Sequence, residues 1–143
     1  MVRAMKNLSR ENKVEQFHRA MGTDVNVEPT EALLLLREQL LMEECFEVVN
    51  ELHKIRLSVV NKDKITTTQW ADLLKELGDL QYVLSGTIVS LSPIYGSFSP
   101  TFNRIHHSNM SKLGEDGKPV LREDGKVLKG PSYKPPYLED LIK

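Results

Sequence analysis

The sequence is poor in residues that stabilise small proteins by cross-links. Its 143 residues include a single cysteine, Cys45, which excludes an intramolecular disulfide and fits a reducing cytoplasm. The chain is long enough to fold on a hydrophobic core alone, and its 40% hydrophobic and 27% charged residues are ordinary for a globular protein. We therefore expect one domain over residues 1–143 and a cytoplasmic location.

The sequence also lacks an excess of charge of one sign and a long apolar run. Its 19 basic and 20 acidic residues give a net charge of −1, which argues against a nucleic-acid binder. Residues 80–103 carry no charged side chain, but their glycines, prolines and serines predict a buried helix end and a loop rather than a membrane span. The first ten residues lack the apolar segment of a secretory signal. We expect neither nucleic acid nor a membrane as a partner.

Apolar residues recur at helical spacing, and no long stretch alternates between apolar and polar side chains. The sequence therefore predicts an all-α fold, a bundle of about four helices. Capping residues and prolines set the expected helix ends. The predicted helices run from Ser9 to Met21, from Pro29 or Thr30 to Leu57, from the threonines at 66–68 to just before Pro93, and from Ser99 to about Lys112.

The last thirty residues differ in character from the predicted helices. The tetrapeptide EDGK occurs at 115–118 and again at 123–126. Asp-Gly favours turns, and the pair Pro135-Pro136 cannot lie inside a helix. We expect an extended C-terminal tail that contains loops or a small hairpin.

Acidic residues are concentrated in the second predicted helix. Residues 28–51 contain seven glutamates and one arginine. A solvated helix face is the ordinary explanation of such a charge run, and Lys54 is expected to pair with Glu51, three residues earlier. On a helical wheel, four of the glutamates fall within an arc of about 100°: Glu43, Glu44, Glu47 and Glu51.

The third predicted helix repeats this arrangement. Asp72, Glu76 and Asp79 are spaced i, i+4 and i+7, so they share one helix face. Two helices that direct carboxylates at the same place repel each other unless water or a cation neutralises them. Oxygen ligands without histidine or thiolate suit Mg²⁺, or Mn²⁺ in its place, better than Zn²⁺. The residues alone therefore leave two interpretations, a solvated surface and a divalent-cation site.

Two motifs on consecutive helices resemble a known family. Residues 43–47 read EExxE, and residues 76–79 read ExxD. This pair is similar to the signature of the MazG-like all-α nucleoside triphosphate pyrophosphohydrolases, whose superfamily includes dimeric dUTPases and phosphoribosyl-ATP pyrophosphohydrolase. The segments VEQFHRAMG at 14–22, SNMSK at 108–112 and GKVLKG at 125–130 extend the resemblance over roughly residues 12–138.

The resemblance implies a reaction and a role for each motif residue. A (d)NTP and water give (d)NMP and diphosphate, with Mg²⁺ held by Glu44, Glu47, Glu76 and Asp79, and with Glu43 as the candidate base for the attacking water. It further implies phosphate-binding lysines and substrate contacts, and solubility is the alternative explanation for Lys126 and Lys129. The candidates are Lys112, Lys126 and Lys129 for phosphate, and Gln16, His18 and Asn109 for the substrate.

The resemblance leaves the substrate and the assembly open. We place dGTP first, before dUTP and dCTP, because of a loose similarity to small phage enzymes that remodel or sanitise nucleotide pools. The alternatives are a dUTPase or dCTP-directed member of the same superfamily, and a non-catalytic helical dimerisation module. Wide apolar arcs on the second and third helices predict a homodimer. The resemblance also implies a homodimer, or a tetramer built from it, in a bacterial or phage-infected host cytoplasm.

Overall fold

A computed structural model describes residues 8–143, and the all-α prediction is confirmed for this part of the chain. Within it no strand forms, and only two isolated bridges pair extended residues. Each helix described is either too short or too polar to cross a membrane. The four α-helices are α1 (Arg10–Met21), α2 (Glu31–Val60), α3 (Thr67–Ser90) and α4 (Phe98–Met110), and 3-10 turns lie at Ser92–Ile94 and Glu139–Leu141.

The chain divides into two compact units. The first unit ends at Ser92 and contains α1, α2 and α3, and the second unit spans Pro93–Lys143 and contains α4 and the tail. The expectation of a single domain over residues 1–143 stays a prediction.

The helix ends of the first unit follow their capping residues. Ser9 Oγ accepts a hydrogen bond (3.1 Å) from a backbone N–H of the first turn of α1, and Gly22 ends this helix with φ of 67°. Thr30 caps α2 in the same way, and Thr66 and Gln69 form a reciprocal capping box at the start of α3. These side chains satisfy N–H groups that the first turn of a helix leaves without an acceptor.

α2 and α3 form an antiparallel hairpin that supplies the core of the first unit. Gln69, near the start of α3, donates to Ser58 Oγ near the end of α2 (2.9 Å). At the opposite end of the hairpin, Arg37 of α2 donates to the carbonyl oxygen of Val83 in α3 (2.8 Å). The buried apolar core consists of Val48, Ile55 and Leu73, with Ile65 and Leu80 packed against them.

α1 packs against α3, and neighbouring side chains lie close to Gly86 of α3. A Cβ atom at this position would lie 2.6 Å from Nη2 of Arg37 and 3.0 Å from Nε2 of His18. Both side chains are buried. Nearby, the fully buried Ser85 donates to Oε1 of Glu11 across the same pair of helices (3.1 Å). Position 86 therefore leaves room for a hydrogen atom and for nothing larger.

Large apolar side chains on the outward sides of α2 and α3 remain exposed. Leu74 of α3 has 71% of its surface exposed, and Met42 of α2 has 66%. Exposed apolar surface of this extent is typical of an interaction site. We call these side chains the outer apolar face: Met42, Phe46, Val49, Trp70 and Leu74.

In the second unit, hydrogen bonds fasten the C-terminal tail to α4. The buried Ser108 donates to the carbonyl oxygen of Lys134 (2.7 Å), and Arg104 forms a two-pronged ion pair with Asp140. The pair lowers the pKa of Asp140, because the guanidinium donates hydrogen bonds to its carboxylate. The predicted extended tail is therefore anchored along a helix.

The two EDGK segments form the turns that their sequence predicts. Gly117 and Gly125 adopt left-handed backbone conformations, with φ of 73° and 83°. Leu121 and Val127 flank the second turn and pair through one antiparallel bridge.

The close approach at Gly86 can be tested by adding one methyl group. Gly86→Ala should lower the free energy of unfolding by about 1–3 kcal/mol, because the methyl group must displace Arg37 or His18. Gly78→Ala is the matched control on the same helix, since a Cβ there meets nothing within 4 Å. Its better helix propensity should raise stability by up to about 1 kcal/mol. Urea unfolding followed by circular dichroism measures both, and equal effects would contradict the close approach.

Candidate metal centre

Three glutamates from two helices meet near the middle of the hairpin. Glu44 and Glu47 lie about one turn apart on α2, and Glu76 lies on α3. Each offers one carboxylate oxygen, and these three oxygens all lie within 4.8 Å of one another. The antiparallel pairing of α2 and α3 thus brings together three of the four predicted metal ligands, which we call the acidic cluster.

Asp79 and Lys75 adjoin the acidic cluster on α3. Nζ of Lys75 lies 3.0 Å from Oε1 of Glu76 and 2.9 Å from Oδ2 of Asp79. The negative charge of Asp79 also acts on Glu44. The fourth predicted ligand therefore lies beside the other three, and a lysine joins it to one of them.

The carboxyl groups of the cluster disfavour one another's ionisation. Desolvation, and after it the negative charges of Asp79 and Glu76, raises the pKa of Glu44. A hydrogen bond to the Glu76 side chain raises the pKa of Glu47, and the charge of Glu76 adds to this effect. Lys75 has a raised pKa because it donates hydrogen bonds to Asp79 and Glu76. Like charges about 4 Å apart repel by roughly 4 kcal/mol at an effective dielectric of about 20, so the cluster favours protons or a cation.

One oxygen atom of the cluster has no partner. Oε2 of Glu44 is buried and forms no hydrogen bond within the part of the chain that the structure describes. A buried acceptor without a partner costs stability, and a divalent cation would satisfy it. All donor atoms of the cluster are carboxylate oxygens, which are the ligands that Mg²⁺ and Mn²⁺ prefer. The three glutamates therefore fit such an ion, and the role of Asp79 as a further ligand stays a prediction.

Glu43, the candidate base, is exposed next to the acidic cluster. It precedes Glu44 on α2, and its negative charge contributes to the raised pKa of Glu44. It does not belong to the group of mutually close oxygens found among residues 8–143. This position is compatible with contact to solvent water, and its role as a base stays a prediction.

The two substrate contacts predicted on α1 lie in different surroundings. His18 is buried, and its Nδ1 lies 2.9 Å from the carbonyl oxygen of Asp24. It lines a cavity of about 370 Å³ together with Phe17 and Arg37. Gln16 is exposed and does not line this cavity. The structure therefore brings one of the two residues to a cavity.

The predicted phosphate contacts belong to the second unit. Lys112 is half-buried just after α4, and the ammonium of Lys129 lies over the ring of Tyr133, 4.5 Å from its centroid. Lys126 and Asn109 are exposed. That these residues bind the phosphates and the substrate stays a prediction.

Lys75 is the residue of this site that sequence reasoning missed. Its place beside Glu76 and four residues before Asp79 is the signal that could have found it, because residues at this spacing meet on a helix. By contrast, the predicted pair of Lys54 and Glu51 is confirmed at 2.5 Å. Lys54 therefore neutralises Glu51, which does not belong to the acidic cluster.

No protein-family model matches the chain, and no curated protein matches it. The resemblance to MazG-like enzymes therefore rests on the sequence motifs and stays a prediction.

The electrostatic cost of the acidic cluster predicts a stabilising substitution. Folding raises the pKa of Glu44, so the ionised carboxylate destabilises the folded state at pH values above this raised pKa. The destabilisation is lost as the pH falls from the folded-state pKa to the lower pKa of the unfolded chain. Glu44→Gln should therefore raise the free energy of unfolding at neutral pH in EDTA by less than about 1 kcal/mol, because solvent screens these charges, and the gain should shrink towards acidic pH. Urea titrations between about pH 4 and pH 8 measure this difference.

Glu43→Gln is the matched control, because it removes the neighbouring, exposed carboxylate. It should change the stability by less than about 0.5 kcal/mol. A Glu44→Gln protein less stable than the unsubstituted chain would show that this carboxylate contributes to folding instead.

Proposed function

We propose that the chain is a MazG-like, divalent-cation-dependent (d)NTP pyrophosphohydrolase that converts (d)NTP and water to (d)NMP and diphosphate. The observation that carries the proposal is the convergence of the acids of both motifs. Glu44, Glu47 and Glu76 present mutually close oxygens, and one of these carboxylates retains a buried oxygen without a partner. A solvated acidic surface has no need of such a buried oxygen.

In this proposal the acids hold Mg²⁺, for which Mn²⁺ can substitute. Glu44, Glu47, Glu76 and Asp79 are the ligands, and the bound cation neutralises charge on the phosphates. Lys75 already neutralises Glu76 and Asp79, so it keeps the two α3 ligands in place when the protein is free of metal. The hairpin supplies the rigid support that such a ligand set needs.

Glu43 is the proposed base. Its carboxylate accepts a proton from the attacking water, and the water oxygen forms a bond to the α-phosphorus. The bond between this phosphorus and the α–β bridging oxygen breaks, and diphosphate leaves with the electron pair. The exposure of Glu43 next to the cluster supports this role, because the base must reach solvent water and the substrate together.

The remaining contacts are those that the motif resemblance implies. Lysines are suited to phosphates because they act as mobile point charges. We assign the β- and γ-phosphates to Lys112, Lys126 and Lys129, and further substrate contacts to Gln16, His18 and Asn109.

We place dGTP first among the substrates, and the physiological role is the remodelling or sanitation of nucleotide pools. An enzyme directed at dUTP or dCTP is the alternative within the superfamily. A non-catalytic helical module is the alternative outside it, and the outer apolar face is the observation that favours it. The same face supports assembly into a homodimer under either proposal.

Hydrolysis assays test the reaction and the metal ligands together. With Mg²⁺ the protein should release diphosphate and dNMP from at least one of dGTP, dUTP, dCTP and dATP, and EDTA should abolish the release. Glu47→Ala and Asp79→Ala should reduce turnover to background while the fold persists, because each removes a ligand oxygen. Glu38→Ala, an exposed glutamate of α2 away from the cluster, is the matched control.

Ion chromatography separates diphosphate from phosphate, and reaction in H₂¹⁸O locates the attack. Label in dNMP supports attack at the α-phosphorus. Release of phosphate alone, or full activity of Glu47→Ala, would contradict the proposal. Absence of hydrolysis for all four nucleotides would leave the helical module as the better interpretation.

The outer apolar face predicts the assembly. Light scattering at micromolar concentration should give about twice the chain mass of 16.3 kDa, or a multiple of the dimer. Val49→Arg places a charge in the face and should shift the mass towards the monomer. Leu121→Arg is the control, because it alters an exposed apolar residue of the second unit. A monomeric mass for the unsubstituted chain would refute the dimer.

A further inference from the structure

A second polar layer crosses the first unit two helical turns from the acidic cluster. It consists of Arg37 on α2, His18 on α1 and Gly86 on α3, which we call the arginine layer. On α2, Arg37 lies seven residues before Glu44. On α3, which runs in the opposite direction, Gly86 lies seven residues after Asp79. Seven residues correspond to about 10 Å along a helix. The two layers therefore face the same side of the hairpin at two different depths along it.

Arg37 is a buried cation without an acidic partner. Only 8% of its surface is exposed, and it forms no ion pair with any carboxylate of residues 8–143. Its Nη2 donates to the carbonyl oxygen of Val83 (2.8 Å) and its Nε donates to Oγ1 of Thr87 (3.2 Å). Burial lowers its pKa, but an arginine side chain stays protonated in proteins. A buried positive charge that has only neutral partners is suited to receive an electron-rich ligand.

Arg37 has free donors and lines a cavity. A guanidinium has five N–H groups, and the two hydrogen bonds above leave the Nη1 group without a protein acceptor. Nη1 remains accessible, because Oε2 of Glu44 is the only fully buried polar side-chain atom without a partner in the described chain. Arg37 lines the cavity of about 370 Å³, whose walls combine the apolar side chains of Phe17, Leu36 and Leu40 with the polar residues Thr23, Asp24 and Ser90. Apolar walls with a few directed donors are typical of a small-molecule site.

The spacing of the two layers matches a nucleotide. If the phosphates lie at the acidic cluster, the sugar extends along the hairpin and the base reaches the arginine layer. The apolar walls then contact the faces of the base, and Arg37 contacts its edge. This argument rests on the proposed function for the position of the phosphates.

We propose that Arg37 is a specificity-determining residue that binds the O6 and N7 acceptors of a 6-oxopurine nucleotide. A guanidinium only donates hydrogen bonds, so it requires acceptors on the base edge. Guanine presents two adjacent acceptors, O6 and N7, whereas adenine presents an amino donor beside N7 and cytosine presents an amino donor.

Gly86 is the positioning residue for this guanidinium, and the ring of His18 lies against the same glycine. The Nδ1 of His18 donates to the carbonyl oxygen of Asp24, since a carbonyl oxygen can only accept, and this bond fixes the imidazole ring. Nε2 of His18 and Nη2 of Arg37 both lie against the bare face of Gly86. The absence of a side chain at position 86 therefore allows the guanidinium to occupy its place in the wall of the cavity.

Equilibrium binding without turnover tests the proposal. Calorimetry in EDTA would compare dGMP, 7-deaza-dGMP, dAMP and deoxyribose 5-phosphate on the full chain. The unsubstituted protein should bind dGMP about ten-fold or more tightly than the other three, because each lacks at least one of the two acceptors. Arg37→Met should bind dGMP, 7-deaza-dGMP and dAMP alike. Circular dichroism would confirm that this variant is folded.

A role in folding alone would give a different pattern. A folded Arg37→Met protein that still prefers dGMP by the same factor would overturn the proposal. Equal affinity of the unsubstituted chain for dGMP and 7-deaza-dGMP, or for dGMP and deoxyribose 5-phosphate, would also overturn it, and these comparisons need no variant. Arg37→Lys keeps the positive charge but lacks the planar set of donors of a guanidinium. Its preference for dGMP over the other three compounds should be less than half of that of the unsubstituted chain on a logarithmic scale.

The outcome is separable from that of the proposed reaction. A dGMP preference that depends on Arg37, in a protein that hydrolyses no dNTP, would support the base site and contradict the pyrophosphohydrolase. Hydrolysis of several dNTPs at equal rates, without a dGMP preference, would support the reaction and overturn the role of Arg37.

Discussion

The antiparallel packing of α2 against α3 is the constraint on which the other features depend. The core residues Val48, Ile55 and Leu73 fix how far one helix is displaced along the other. With this register, Glu44 and Glu47 lie beside Glu76, and Arg37 reaches Val83. A slip of one turn would separate both groups at once, because their members come from different helices.

The energies of core and cluster are of comparable size. Burial of one large aliphatic side chain contributes about 1.5–3 kcal/mol, and two like charges about 4 Å apart cost roughly 4 kcal/mol at an effective dielectric of about 20. A few core residues are therefore sufficient to hold the acidic cluster together against its own repulsion. Lys75 and the raised pKa values of Glu44 and Glu47 reduce that repulsion further.

Local signals in the sequence account for most of the fold that could be predicted. Ser9, Gly22 and Thr66 are capping residues with a clear mechanism, and they lie at the ends of observed helices. The end of α2 was predicted at Leu57 but lies at Val60, because Asn61 caps the helix and valine does not interrupt it. Helix spacing likewise placed Glu44 and Glu47 on one face, as it did Glu76 and Asp79.

The parts that sequence reasoning could not predict depend on contacts between helices. Nothing local distinguishes Arg37 from an exposed arginine, since its burial follows from its fit between Val83 and Thr87. The need for glycine at position 86 is equally hard to predict, because it arises only from side chains of the neighbouring helices. Trp70 is the opposite case, an apolar residue that is exposed. About half of its surface is exposed, because no element of the described chain covers it.

In the proposed metal site, the ion pairs of Lys75 would make cation binding an exchange of partners. The ammonium group takes the place of an external counter-ion for Glu76 and Asp79, so these carboxylates are not bare before a metal arrives. The lysine side chain is 63% exposed, and it can therefore turn outward into water at little cost. The carboxylates of α3 thus have an internal counter-ion, which a divalent ion would have to displace in the proposed metal site.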